Sequence, residues 1–421
     1  MTQAPSPDAP RAPGRSFMLA VLALLLATSV VVTPLVPTTG STREQAVDKV
    51  LSEAVGRGDV PGVVAVATDR QGFQYQGAFG IADRTSGRPM TTDAIFWIAS
   101  MTKAVTSVAA MQLVEQGRLS LDAPAEQYLP ELADLKVFES FDVRTGAYVV
   151  RSTMKRPTIR HLLTHTSGLG YNFTSPIVRD FKPRTGERYA AGPLLFEPGE
   201  RWLYGTSTDW VGRVVEAVSG QSLEAYFRDR ILGPLGLADT FFNVPPDREP
   251  RVAAVHRRQP GGRFEVGPIQ QARSVTQFNG GGGLFSTATD YTRFLQMFLG
   301  GGALNGARIL SPHSVVLMGQ NQIGGLGVPA STSALPEASG DFSFIADGRD
   351  KWGLGFLITA DAQQGKRSAG SLSWGGINNT YFWVDRMRGV TGVIMMQYRP
   401  FADRRALATY DAFERAVYHA R

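Results

Sequence analysis

The 421-residue chain has no cysteine. Disulfides, thiolate nucleophiles, iron–sulfur clusters, cysteine-ligated zinc and a lipid-modified cysteine anchor are thereby excluded. The same absence is compatible with the cytoplasm and with an exported location. Charge is modest as well: 19% of residues are charged, the formal net charge is +6, and the arginines are scattered. Without a basic stripe interleaved with aromatics, no nucleic-acid partner is expected. No Gly-x-Ser-x-Gly elbow occurs, so an α/β-hydrolase nucleophile has no motif to sit on. Residues 280–283 are four glycines, but no Gly-Lys-Ser/Thr follows; the glycines around 325–327 match a dinucleotide loop equally weakly. Both read as tight backbone. His161 and His165 are four apart, the spacing of a helical zinc pair, yet neither an HExxH glutamate nor a third ligand is near. They are expected to be structural, at a helix end, and no metal or cofactor is expected.

One apolar run stands out, over residues 17–32, behind Arg11 and Arg15 and ahead of Pro34, Pro37 and Gly40. A positive region, an apolar core and a polar exit read as an export signal. No clear small-x-small cleavage site stands out, and residues 17–36 approach the roughly 20 needed to span a bilayer. Residues 1–41 are therefore expected to be a signal peptide or an uncleaved membrane anchor. Either places the rest of the chain in the periplasm or outside the cell.

From residue 42 the pattern is that of one large domain. A helix is predicted over 44–57 and strands over 62–68 and 73–79. Further strands are predicted over 355–359, 371–374, 379–384 and 390–396, and a closing helix over 403–419. Residues 119–284 read as mainly helical and loop-rich, broken by Pro124, Pro130, Pro157, Pro198 and Pro234. Residues 323–349 are polar and rich in Gly, Ser and Pro, a long loop expected near a site mouth. Strands at both ends and helices between imply an α/β (α+β) fold: one antiparallel sheet assembled from about 44–118 and 285–421, flanked by helices, with a helical lobe inserted over about 119–284.

The chemistry starts at Ser100-Met101-Thr102-Lys103, after the apolar stretch IFWIA at 95–99. Residues three apart share a helix face, so the hydroxyl and the amine would lie side by side. A lysine so placed can take the serine's proton when burial or a nearby cation suppresses its charge. Ser-x-x-Lys is a common tetrapeptide, and a helix-capping serine with a surface lysine is the competing reading. Four more segments follow in order: HLLTHTSGL at 161–169, EPGERWLYGTS at 197–207, GGGGLFSTATD at 280–290 and WGGI at 374–377. With Ser100 and Lys103 these resemble the serine β-lactamase-related hydrolases, close to class C β-lactamases and closest to the family VIII carboxylesterases, from about Glu44 onward.

The resemblance implies the β-lactamase/transpeptidase-like fold. It implies Ser100 as nucleophile, with Lys103 and Tyr204 sharing its proton, and an oxyanion hole from the backbone amides of Ser100 and Ile377. Which of Lys103 and Tyr204 is the formal base is a coupled-titration question that stays open. Two departures matter. Thr206 stands where class C enzymes carry the Asn of Tyr-x-Asn, and Trp374-Gly375-Gly376 stands where Lys-Thr-Gly is expected. A tryptophan cannot hold a substrate carboxylate, which argues for a neutral acyl group, an ester. Trp374, Gly375 and Gly376 would line the substrate strand, and Tyr171 and Asn172 would contact substrate from the cleft loop. The expected function is hydrolysis of small carboxylic esters through an acyl-enzyme on Ser100. The alternatives are a β-lactamase or D-alanyl peptidase, and a non-catalytic cell-envelope binding protein of the same fold. Acyl length, transfer to an acceptor other than water and oligomeric state are not written in the sequence.

Overall fold

The computed structural model describes residues 42–271, 273–342 and 348–419. The apolar run at 17–36, and with it the signal or anchor reading, lies outside the described residues. Among the described residues no helix is long and apolar enough to cross a membrane.

The chain enters through helix α1 (Thr42–Gly56) and then forms β1 (Gly62–Asp69), β2 (Phe73–Asp83) and the short β3 (Arg88–Pro89). After the middle of the chain come β4 (Lys351–Trp352), β5 (Leu357–Ile358), β6 (Leu372–Gly376), β7 (Thr380–Asp385) and β8 (Val390–Met395). These eight strands form one sheet in the order β4-β5-β6-β7-β8-β1-β2-β3. Every neighbouring pair is antiparallel, including the junction of the two halves, where Val64 faces Met395 and Asp69 faces Val390. Residues of β7 and β8 are buried on both faces, which explains continuous apolar runs in place of simple alternation.

The period of two along β7 sorts its side chains onto two layers of helix. Tyr381 and Trp383 point to the closing helix, stacking on Tyr410 and meeting Phe413. Phe382 points the other way, onto Tyr291 of the helix Ala288–Leu299. The closing helix, Arg404–His419, packs on α1, so the first and last described helices lie together.

Helix α2 (Thr102–Glu115) runs through the centre, and every residue from Thr102 to Leu113 is buried. Its small residues without Gly or Pro suit a helix enclosed on all sides. It packs against α3 (Ser207–Ser219), which Gly220 ends in a left-handed conformation at φ +74°.

The middle of the chain is less helical than the predicted lobe. It holds two hairpins, Lys136–Phe141 with Tyr148–Ser152 and His256–Arg258 with Phe264–Val266. In the first, Asp142 accepts from the Arg144 amide and Gly146 takes φ +72°, a turn chemistry that closes two short, half-exposed strands. The predicted strand at 355–359 shrinks to Leu357–Ile358, after Gly355 at φ +92°.

Candidate active site

Ser100 does not sit on α2 itself. It occupies a tight 3-10 turn, Ala99–Met101, that leads into the helix, and Ala99 is held at φ +45°. Lys103, in the first turn of α2, is 1% exposed. Its Nζ lies 3.2 Å from Ser100 Oγ, 3.0 Å from the Tyr171 hydroxyl and 2.6 Å from the Gly281 carbonyl oxygen. The half-buried serine thus meets a buried lysine, and the pair is not a capping serine with a solvated lysine.

Tyr204 precedes α3 and is buried. Lys103 Nζ stands 4.9 Å from its ring centroid and 5.2 Å from that of Tyr171, so two aromatic faces flank the amine. The Tyr204 hydroxyl accepts from the Trp374 indole Nε1–H at 3.2 Å. Trp374 is 3% exposed and packs edge-on against both Trp352 and Tyr204. Its ring is thus packed onto the tyrosine.

Gly376 closes β6 beside the nucleophile turn. A Cβ there would stand 2.3 Å from the Ile98 carbonyl oxygen, so the bare backbone lets the strand end approach that turn. Gly375 is packed as well, since its Cβ would meet the Tyr381 ring at 2.7 Å. Ile377 follows directly, and Asn378 Nδ2 donates to the Trp97 carbonyl at 3.3 Å, tying this corner to the segment before Ser100. Asn172 is exposed beside Tyr171, whose ring stacks on Phe173.

One charged group escaped the sequence reading. Asp209, in the first turn of α3, accepts from the Gly281 amide at 3.2 Å and from the Tyr171 hydroxyl at 3.4 Å. Burial raises its carboxyl above the usual range, with the Lys103 charge and the Gly281 N–H pulling the other way. Burial likewise lifts the Tyr171 phenol well above its ordinary value, and the Asp209 charge adds to this. The available signal was the glycine run, because a Cβ on Gly281 would lie 2.7 Å from the Asp209 carboxylate oxygens.

The two histidines are structural neighbours of this cluster. The short helix Ile159–Leu163 ends before His165, which sits at φ +57°, so the pair never shares a helix face. His161 Nδ1 accepts from the Thr158 amide in a capping box. His165 is buried against Tyr204, Trp352 and Trp202, and burial, then the Lys103 charge, holds it neutral far below its ordinary pKa. Among the described residues no group of three or more His, Cys, Asp or Glu could hold a metal ion.

Beside Tyr204 opens a cleft of about 620 Å³. Trp202, Leu203 and Tyr204 form one wall, and residues 329–336 of the long loop form the other, with Pro329, Ala330 and Pro336 facing in.

The family model described as Beta-lactamase matches residues 47–416. The lovastatin esterase of Penicillium rubens is 34% identical over 374 residues, covering 83% of this chain and 92% of that protein. The monacolin J acid methylbutanoyltransferase of Aspergillus terreus is 31% identical over 402 residues, 87% of this chain and 93% of the other. Among solved structures, unliganded simvastatin synthase from Aspergillus terreus superposes with a TM-score of 0.74 at 28% identity, covering 90% of this chain and 98% of that one. The chain has the β-lactamase/transpeptidase-like fold, and it belongs to the Beta-lactamase family.

Proposed function

We propose that the chain is a serine hydrolase that cleaves carboxylic esters through an acyl-enzyme on Ser100. The observation that carries this reading is the buried lysine amine 3.2 Å from the serine hydroxyl, flanked by the Tyr204 ring. Ser100 Oγ attacks the ester carbonyl carbon while its proton passes to the Lys103–Tyr204 pair. The backbone amides of Ser100 and Ile377 hold the oxyanion, each such donor contributing roughly 3–4 kcal/mol. Collapse breaks the bond to the alkoxide, which leaves with the shared proton, and water then attacks the acyl-enzyme by the reverse path. Trp374, in place of a lysine, supports a neutral acyl group over a β-lactam or a D-alanyl peptide. The largely apolar cleft wall supports a substrate with an apolar portion.

Relatives named for an esterase and for methylbutanoyl transfer support ester chemistry with a short acyl group. The second of these favours a further reading, transfer of the acyl group to an alcohol in place of water, since only the acceptor differs. We also read residues 1–41 as a signal or anchor that puts the enzyme outside the cytoplasm, which cell fractionation with N-terminal sequencing tests.

The deciding experiment measures p-nitrophenyl butyrate and chromogenic cephalosporin turnover by wild type and Ser100→Ala. Ester turnover that disappears in the variant, with little cephalosporin cleavage, is the expected result. Ester turnover that survives Ser100→Ala overturns the mechanism. Efficient cephalosporin hydrolysis moves the assignment to a β-lactamase.

A further inference from the structure

Lys103 reaches three oxygens, and only Ser100 Oγ among them belongs to the reaction. The Gly281 carbonyl at 2.6 Å can only accept. The Tyr171 hydroxyl at 3.0 Å has one proton and could point it either way. Asp209 decides the direction. A carboxylate offers no proton, so the Tyr171 O–H turns to Asp209 Oδ2 and leaves a lone pair toward Lys103. The Gly281 amide is shared between Asn279 Oδ1 at 2.8 Å and Asp209 Oδ1 at 3.2 Å, and the two together orient the backbone segment whose carbonyl meets the lysine.

We propose that Asp209 is a positioning residue for ester cleavage: acting through Tyr171, and with Asn279 through Gly281, it helps fix two of the three bonding directions of Lys103 Nζ so that the third faces Ser100. This rests on the serine-hydrolase reading above. With Lys103 protonated, the third direction donates to Ser100 Oγ. With that proton gone, a lone pair lies in the same place and receives the serine proton as Oγ bonds to the carbonyl carbon. The proton then passes to the departing alkoxide, so Asp209 gains and loses none. The groups facing Asp209 are Lys103 from α2, Tyr171 from the loop after His165 and the Gly281 amide. Tyr204 and the neutral His165 lie beyond the lysine.

Asp209→Asn preserves size and can still accept from Gly281, but its amide donates to the Tyr171 oxygen and turns the phenol proton against the lysine. For the full chain this variant is expected to lower kcat on p-nitrophenyl butyrate about 10- to 100-fold, with KM within about 3-fold. Labelling of Ser100 by a fluorophosphonate should slow in parallel. Tyr171→Phe should lose about as much, and adding Asp209→Asn to it should cost less than about 2-fold more, because the path is already cut. The wild-type pH profile should lose activity on the acid side, as the raised Asp209 carboxyl takes up a proton, and Asp209→Asn should lack that limb. Wild-type kcat and labelling in Asp209→Asn overturn the proposal, as does a double variant whose loss is the product of the two single losses. If Ser100 of the wild type fails to label, the serine-hydrolase reading falls instead. Should Asp209→Asn not fold, Tyr171→Phe alone carries the test, and unchanged kcat there is equally fatal.

Discussion

The Tyr204 hydroxyl is held by a single kind of atom that phenylalanine lacks, the indole N–H of Trp374. Trp374→Phe keeps a ring against Trp352 and Tyr204 but removes that donor. The expected result is a fall in kcat of about 10-fold, the weight of one buried hydrogen bond of roughly 1–1.5 kcal/mol, with KM little changed. Steady-state kinetics on p-nitrophenyl butyrate checks it, and an unchanged kcat would reduce the indole to packing alone. At this scale the motifs made Ser100, Lys103 and Tyr204 readable, because each lies in a recognisable segment. The partners of those residues were not readable. Trp374 meets Tyr204 across 170 positions of chain, and Asp209 meets Gly281 across 72. No local pattern marks such pairs. The Tyr171 hydroxyl, expected only to line the cleft, also reaches Lys103 across 68 positions of chain.

Among the elements, β6 matters through its last residue. Gly376→Ala would drive a methyl group into the Ile98 carbonyl and the Thr380 hydroxyl, at 2.3 and 2.4 Å. Both neighbours are buried, so the strand end must move away from the nucleophile turn. A loss of about 1–3 kcal/mol of stability is expected, together with at least about a 100-fold loss of kcat, since an ångström of misplacement is costly at a reacting centre. Chemical denaturation and ester kinetics measured side by side test this. Loss of stability with full activity would separate β6 from the chemistry. The strands of the large sheet were legible because their apolar runs are long and bounded by turns. The hairpin 136–152 was not. Its alternation is short and half-exposed, and its turn, Asp142 to Gly146, carries no Asn-Gly or Asp-Gly dipeptide to announce a hairpin. The serine turn was likewise read as plain helix, because nothing about an alanine announces a positive φ at residue 99.

For the whole molecule, stability should depend on pH through buried histidine. Burial lowers His256 to about 4 and holds His165 well below 6.5. The unfolded chain then binds more protons than the folded one below pH 6.5, so stability falls with falling pH, by up to about 1.4 kcal/mol per pH unit for each histidine. For His256 the loss runs from about pH 6.5 to about pH 4. The raised carboxyls of Asp209 and Asp290 act with the opposite sign, and His256→Asn subtracts the histidine contribution alone. Thermal melts between pH 7 and pH 4.5 should therefore show a shallower fall in His256→Asn than in wild type. Equal slopes would exclude His256 as a contributor. The general plan, one sheet drawn from two distant stretches, was legible from the order of strands and helices alone. What that plan demands of synthesis is a different matter. Strand β1 pairs with β8, about 320–330 residues later. A ribosome adding roughly 5–20 residues per second needs on the order of 15–60 seconds to deliver it. Until then the apolar edge of Val63, Val64, Val66 and their neighbours has no second strand on that side. A stalled or prematurely terminated chain would keep this edge open for good, leaving chaperones and proteases, not folding, to decide its fate.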